Sequence, residues 1–502
     1  MADPNLLAVL RRSVEAWNAR DERSDGEAAD LSFGDLSGLD LRDADLAGAN
    51  LAGANLRETN LQGARLAASR MQQVDARGAR FDGADLHQAR LTEGQFSMAS
   101  FDGAQLTGAD LTRANLVGAR FPNANLSSAK LSMANASRAV LDFAQLPVAN
   151  LKGAVLSAVS LVGAKLPGAN LEGARLPMAN LREADLTRVE ASRAHLRGAV
   201  LIESNLTGAS FEGAELIEAD LSGATMPLAN FEQSRLARSR MVDSDLSLVS
   251  LKGANLEDTD CSRADLTGAS LVESLLVRTN LEGAKLERCH LSRALMLECR
   301  LDGATIEECR FDSVTLSGGQ HKRARTSDLS LTAPEEAAIL VDDLQMVQLM
   351  ETLLTDDRWR ELFAPRATRI VMLMGCFPEA RKEHLEAIRG ELRSRNYAPV
   401  VVDLEEPVGE RSRTAMRNLA FLARFVLVDL AESRELSAVL QPFRDVLDNA
   451  PLKTMLPEGE EASELVKLTG QSPFRYRDTG HLVEAFETYV IRPLETKIAI
   501  VS

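Results

Sequence analysis

The sequence predicts a multidomain chain in which a long solenoid is followed by a doubly wound α/β domain, and three observations predict it. From Leu31 to Leu316 every residue whose number ends in 1 or 6 is the apolar member of a pentad: of 58 such positions, 42 are Leu, 7 Phe, 4 Met and 3 Ala, with Cys261 and Ile306 completing the set. Two residues before each sits a small side chain, Ala at 37 of the 57 positions between Gly34 and Val314, and only Leu39 there is large. Beyond Thr332 the period disappears and apolar runs of strand length alternate with helical patterns, the grammar of a parallel sheet with crossover helices.

A period of five matches neither the helical 3.6 nor the strand period of two, so no single helix or ordinary sheet would gather these Leu on one side. A repeat this short forms a solenoid whose units bury their apolar residues against neighbouring units. The units Ala44-Asp45-Leu46-Ala47-Gly48 and Ala49-Asn50-Leu51-Ala52-Gly53 have the form A(D/N)LXX. In these residues the chain resembles the pentapeptide-repeat family. That resemblance implies a right-handed quadrilateral parallel β-helix, four pentads to a coil, with Leu and Ala inward and the other three residues outward. Residues twenty apart should then stack, and Phe81, Phe101 and Phe121 have that spacing, as do Phe211 and Phe231, and Pro147 and Pro167. At the spacing of hydrogen-bonded strands the rod would be about 70 Å long. Leu46, Leu51 and the five Phe are its expected structural core.

The solenoid's open ends need covering, because a bare terminal coil is a sheet edge. Leu6, Leu7, Leu10, Val14 and Trp17 at helical spacing predict a capping helix over 4–20, within an N-terminal segment 1–30 that links into the rod of 31–316. Gly318 to Arg325 reads as a short basic hinge opening a linker of 317–366. In that linker Thr332, Pro334 and Glu335 predict a capped helix start, with Ile339, Leu340, Leu344, Val347 and Met350 continuing it to about 354 and a second helix over 357–363.

The last domain, 367–502, is expected to hold strands at 369–374, 399–404 and 425–430, with helices at 379–395, 411–423 and from His481 to about Thr488. The stretches from Arg369 to Gly375, Arg381 to Tyr397 and Ala420 to Leu430 are similar to the TIR-like, flavodoxin-like domain found fused behind bacterial pentapeptide repeats, and Glu15-Ala16-Trp17-Asn18 also fits such fusions. The resemblance implies either splitting of NAD or assembly of signalling complexes, the splitting type relying on a Glu in the helix after the third strand. An ungapped fit to the fused family puts Val439, before Leu440, at that acidic position, while a shift of four residues supplies Glu435 before Leu436.

In an open α/β sheet a ligand sits beyond the carboxyl ends of the strands. That places Gly375, Glu405 and Asp429 as candidate ligand-binding residues and Asp429, Ser433 and Glu435 as candidate catalytic ones. A carboxylate there could stabilise positive charge on a ribose as nicotinamide leaves. Cys376 with His384 is a weaker nucleophile pair, eight residues apart across a helix start. No GxGxxG and no P-loop occur. Cys289, Cys299 and Cys309 fall on small-residue sites inside the rod, where a thiol acts as a modest hydrophobe, so no metal site is expected.

Charge and composition narrow the function classes. The chain has a net charge of −16, of which the rod carries 29 basic against 36 acidic residues, so no stripe suited to neutralising phosphates appears and direct nucleic-acid binding is disfavoured. Five cysteines without paired spacing, no leader and no apolar run near membrane-spanning length suggest a cytoplasmic protein with no membrane contact, and the resemblance implies a bacterial one. The preferred function is a non-enzymatic scaffold or sensor that binds protein partners through the rod and a ligand, or a second copy, through the last domain. The alternatives are an NAD-consuming effector of bacterial defence, with NAD as its only cofactor, and a DNA-mimicking topoisomerase inhibitor. Mimicry of a duplex needs more concentrated negative charge than this rod carries.

Overall fold

The computed structural model describes residues 3–19, 28–332, 338–355, 368–405, 410–431, 451–460 and 472–501. The chain falls into two compact units, Met1–Leu286 with Met296–Ala304 and Gly318–Arg323, and Glu287–Leu295 with Thr305–Ser317 and Ala324–Ser502.

In the first unit the pentads build a right-angled parallel coil whose bridges all join residues twenty apart, from Asp30 with Asn50 through Asp265 with Lys285. Each inward residue donates its N–H to a carbonyl nineteen residues on, as Leu46 does to Arg65 at 2.7 Å, and accepts at its own carbonyl from the residue three ahead, as Ala49 does to Leu46 at 3.0 Å. That second bond closes a turn whose third residue has positive φ, the requirement of a type II turn. Glycine meets the requirement at Gly48 and Gly53, yet Met98 and Arg113 adopt it too, held by the ladder on both sides. Asn or Asp, where it stands ahead of the inward residue, has its own task. Its side-chain oxygen accepts from the N–H two residues on, as in Asn125 with Ser127 at 3.1 Å and Asp185 with Thr187 at 3.1 Å, fixing the corner locally.

The interior is apolar and stacked. Leu46, Leu51, Phe81, Phe101, Phe121, Phe211 and Phe231 are all buried. Phe81 and Phe101 lie 4.7 Å apart at 5°, Phe101 and Phe121 4.5 Å apart at 3°, and Phe211 and Phe231 5.1 Å apart at 6°. Where a hydroxyl replaces Ala it reaches a backbone carbonyl at some sites, as Thr59 does to Leu36 at 2.8 Å and Ser204 to Leu201 at 2.6 Å, whereas the hydroxyls of Ser69, Ser234 and Ser239 are buried without a hydrogen-bond partner. None of the five cysteines is disulfide-bonded.

The first coil is covered by two helices rather than the single one expected over 4–20. α1 (Pro4–Arg12) and α2 (Val14–Asn18) are separated by Ser13, whose backbone is extended and whose hydroxyl caps α2 through the N–H groups of Glu15 and Ala16. Trp17 is buried and its indole N–H donates to the Asp45 carbonyl at 2.8 Å; Asn18 accepts from Asp45 N–H at 2.8 Å and donates to the Asp43 carbonyl at 3.0 Å. These bonds satisfy groups that a bare coil would leave to solvent or to another chain.

The basic stretch after Leu316 is not a hinge. Gln320 N–H donates to the Cys299 carbonyl at 2.9 Å, Leu301 N–H to the Gln320 carbonyl at 2.6 Å and Lys322 N–H to Asp302 Oδ1 at 2.7 Å, so the coil continues through it. Within the second unit Arg325–Ser327 likewise pairs in parallel with Thr305–Glu307.

The second unit is organised by one sheet of seven strands. β1 (Leu329–Ser330) and β2 (Ala338–Val341) are followed by α3 (Leu344–Thr355), β3 (Ile370–Gly375), α4 (Lys382–Ser394), β4 (Ala398–Asp403), α5 (Glu410–Leu422) and β5 (Phe425–Asp429). After these come β6 (Leu452–Pro457), β7 (Phe474–Tyr476), α6 (Thr479–Phe486) and α7 (Arg492–Val501). The order is β7-β6-β5-β3-β4-β2-β1, with β3 to β7 parallel and β2 antiparallel to both β4 and β1. Thus Ile339 and Leu340 belong to a strand, not to the helix expected from Thr332 onward; that helix begins only at Leu344. The proposed cap residues Pro334 and Glu335, and the helix at 357–363, lie outside the described residues. The core beneath the sheet joins Val371, Leu373, Val401, Phe425 and Leu427 to Leu385, Ile388 and Leu392 of α4 and Phe486 and Leu494 near the carboxyl terminus.

β1 has two roles. Ser330 bridges Arg310 of the preceding coil in parallel and Leu340 of β2 in antiparallel fashion, so the last coil and the seven-stranded sheet share one ladder. Beside this junction Arg389 of α4, 1% exposed, is ringed by Asp328, Asp342 and Glu386. Three carboxylates around one guanidinium offset the cost of burying it.

Candidate functional site

In the parallel part of the sheet the strand order reverses between β3 and β5, and the carboxyl ends of those two strands bring Gly375 and Asp429 together. A Cβ on Gly375 would stand 3.1 Å from the Asp429 Cβ and 2.8 Å from the Phe377 ring, so only glycine fits. Asp429 is 1% exposed; its Oδ1 accepts from Ala431 N–H at 3.1 Å and its Oδ2 from Arg381 Nη2 at 2.6 Å. Burial pushes the Asp429 carboxyl above its ordinary range, and the Arg381 guanidinium offsets part of that.

Arg381 also donates to the Tyr476 hydroxyl at 2.7 Å, and burial pushes that phenol well up. The ring of His384 lies 4.9 Å from Tyr476, and its Nδ1 is 2.8 Å from Thr479 Oγ1. Burial first, then Arg381, lowers the His384 pKa and keeps the imidazole neutral near pH 7. Arg381 Nε and His384 Nε2 are buried without a hydrogen-bond partner.

The other sequence candidates part company here. Glu405 is exposed, and its N–H donates to the Asp403 carboxylate at 3.1 Å rather than joining Asp429. Asp403 also accepts from Phe377 N–H at 3.2 Å, and burial raises its pKa. Ser433, Glu435, Leu436, Val439 and Leu440 lie outside the described residues. Cys376 is half-buried with its thiol 3.7 Å from the Leu404 carbonyl. Sequence reasoning missed Arg381 and Tyr476, whose side chains meet across 95 residues of chain. Chemically the cluster is a neutralised acid and base with two spare nitrogen atoms, an arrangement fitted to holding a polar group rather than to attacking one. No group of His, Cys, Asp and Glu suited to a metal ion occurs among the described residues.

Outward-facing residues of the coil form the remaining candidate surface. Along the coils most are exposed or half-buried, with buried exceptions such as Asp45, Ile217, Ser262 and Ser292, while the Leu and Ala positions are buried apart from the half-buried Leu39 and Leu316. One face carries a groove of about 560 Å³ lined by Asn170, Glu172, Glu190, Arg193, Glu212 and Gln233. No helix among the described residues is long and apolar enough to cross a membrane.

A parallel coil with a twenty-residue turn, an Asx-fixed corner and a Leu interior defines the class of solenoid repeat proteins. The chain belongs to the pentapeptide-repeat family, whose description, Pentapeptide repeats, matches in successive blocks from 27–63 to 279–318. Among solved structures it is similar to HetL, a pentapeptide repeat protein involved in heterocyst differentiation regulation in the cyanobacterium Nostoc sp. Strain PCC 7120, at 29% identity over 52% of this chain and 94% of that one, with a TM-score of 0.17. It is also similar to QnrB1, a plasmid-mediated fluoroquinolone resistance protein, at 18% identity over 41% of this chain and 89% of that one, TM-score 0.21. A pentapeptide repeat protein of the Arabidopsis thaliana thylakoid lumen matches at 29% identity over 24% of this chain and 70% of that one, TM-score 0.11. No curated protein matches the chain.

Proposed function

We propose that the protein is a non-enzymatic interaction scaffold or sensor, in which the β-helix presents a binding surface to protein partners and a TIR-like α/β module binds a ligand or self-associates. The observation that carries this reading is the coil itself: nearly three hundred residues keep the same outward-facing positions in register, a repeating surface suited to recognition. At the sheet's carboxyl edge, Asp429 is already held by Arg381 and Tyr476, which suits recognition better than bond breaking. The TIR-like reading is supported by the five parallel strands, whose order places the second strand outside the first and the third to fifth on its other side, as in flavodoxin-like sheets.

A second reading, an NAD-consuming effector, is favoured by the placement of Gly375 and Asp429 at the point where strand order reverses. The two are separated by incubating concentrated protein with NAD, alone and with phage-infected lysate, and measuring free nicotinamide. Release that is lost on Glu435→Gln would replace the scaffold reading; no release, together with specific retention of a defined protein by the immobilised chain, supports it. A duplex mimic is disfavoured by ion pairs that cancel rod carboxylates locally, such as Asp243 with Arg263 at 2.6 Å and Asp258 with Arg278 at 2.7 Å. Unaltered gyrase supercoiling at excess protein is the expected result.

A further inference from the structure

The faces of the coil treat charge differently. On the face carrying Glu215 and Glu218, ionic groups are cancelled from coil to coil: Glu215 meets Arg235 at 3.2 Å, and Glu218 meets Arg197 at 3.3 Å and Arg238 at 3.1 Å. The face before it in each coil keeps its charges apart. There Arg90, Arg113, Lys130 and Lys152 occupy four successive coils, and Glu172, Glu190, Glu212 and Glu232 occupy the next four. Lys152 and Glu172, at the boundary, meet at 2.7 Å; the other six make no ion pair among the described residues.

We propose that this face pairs with the same face of a second copy of the chain, the two coils running antiparallel about a two-fold axis between the coils of Lys152 and Glu172. The proposal rests on the reading of the coil as a protein-binding surface and takes up one face of it. Under that axis each basic coil lies over an acidic one: Lys152 over Glu172, Lys130 over Glu190, Arg113 over Glu212 and Arg90 over Glu232, every pair made twice. Lys130 and Glu190 hold the same place in their pentads, as do Lys152 and Glu172, so they match across the face as well as along it.

The exceptions in the charge pattern are accommodated by the same axis. Asp110, an acid in the basic half, falls opposite Ser210, and Glu93 falls opposite Gln233, an amide able to donate to it. Next to the axis Gly173 leaves room for the partner's surface to approach, with nothing within 4 Å of where a Cβ would stand, while Met133 Sδ covers Gly153. Met133, 61% exposed on the basic half, comes opposite Arg193 in the 560 Å³ groove of the acidic half, giving the interface an apolar knob and a place for it. One coil further out, Arg70 would face Lys252, and this like-charge pair sets the limit of the contact. At about 4.8 Å per coil the eight coils span roughly 38 Å.

Sedimentation of the full chain at low and high salt tests this. The expected result is a species of twice 54.4 kDa at low ionic strength that loosens as salt rises, because the facing charges are exposed and screened. Glu190→Lys should weaken self-association by about tenfold or more, Lys130→Glu should do the same, and the two together should restore it, since the swap re-forms the pair with reversed sign. Both residues are exposed, so thermal melting unchanged from the parent confirms that the variants fold. A chain that stays monomeric at low salt, or a dimer indifferent to Glu190→Lys, or a double variant no better than the singles, overturns the proposal. A monomer that still retains a defined protein partner removes the self-pairing alone, whereas an intact dimer that retains none removes the scaffold reading.

Discussion

Replacing Phe101 tests whether stacked aromatic rings, and not merely filled volume, hold the middle of the coil. Phe101 is fully buried, with the Phe81 ring 4.7 Å below, the Phe121 ring 4.5 Å above and the Phe96 edge at 5.8 Å. Phe101→Ala removes the side chain and leaves a cavity, a loss of roughly 3–5 kcal/mol. Phe101→Leu restores the residue type found at most inward positions and forfeits chiefly the ring contacts; with up to three of them, each about 0.5–1.5 kcal/mol, the loss is roughly 1–3 kcal/mol after repacking. Because a solenoid's stability is a sum of repeats and neighbour terms, the damage should be local. Hydrogen exchange followed by mass spectrometry should show faster exchange in peptides spanning 81–121 than in those spanning 211–231, and more so for Ala than for Leu. A Leu variant as protected as the parent would show that the rings add nothing beyond volume. Loss spread evenly along the coil would refute the local coupling.

The remaining predictions concern the ends and the buried groups. Trp17→Ala removes the indole bond to Asp45 and opens the first coil, so light scattering at high salt, where pairing between charged faces is screened, should detect association beyond the parent's; a mass equal to the parent's would mean α1 suffices as a cap. Burial pushes the Cys261 and Cys299 thiols up to about 12, so a disulfide-exchange reagent at pH 8 should label the half-buried Cys376 first and the four coil cysteines only on unfolding. Fast labelling of Cys261 in the native chain would contradict its sealed position. The Arg424 guanidinium and Tyr397 hydroxyl hold the Glu495 carboxyl below its ordinary range. A depressed carboxylate contributes stability above its unfolded pKa and loses it as pH falls through the folded value, so the melting difference between parent and Glu495→Gln should be larger at pH 7 than at pH 3.5. Equal differences at both would refute the pairing.

The coil was legible because its register never slips, and register is a property a sequence displays directly. Its end was not. After Leu316 the inward positions become His321 and Thr326, half-buried rather than sealed, so the apolar signal fades while the backbone ladder continues; hydrogen bonds between coils do not require Leu. The short apolar run at Ile339 and Leu340 suits a strand or a helix equally by period, and pairing with Val401 and Val402 of β4 decides for strand. β6 and β7 went unread for a similar reason: Leu452–Pro457 and Phe474–Tyr476 are short and broken by polar residues. At the carboxyl edge of the sheet Gly375 and Asp429 could be placed because they end apolar runs, whereas Arg381 and Tyr476 come from distant segments that no local pattern connects.

The double pairing of Ser330 bears on how this protein can be dissected. A fragment beginning at residue 367, where composition suggests a cut, would lose β1 and β2 and strip the outer edge of β4, leaving Val400 to Asp403 as an open template for aggregation. It would also strip Arg389 of two of its three carboxylates, since Asp328 and Asp342 lie upstream and only Glu386 remains. A faithful excision must carry the final coil with it, which makes that coil a splint grafted into the α/β body rather than a tether outside it.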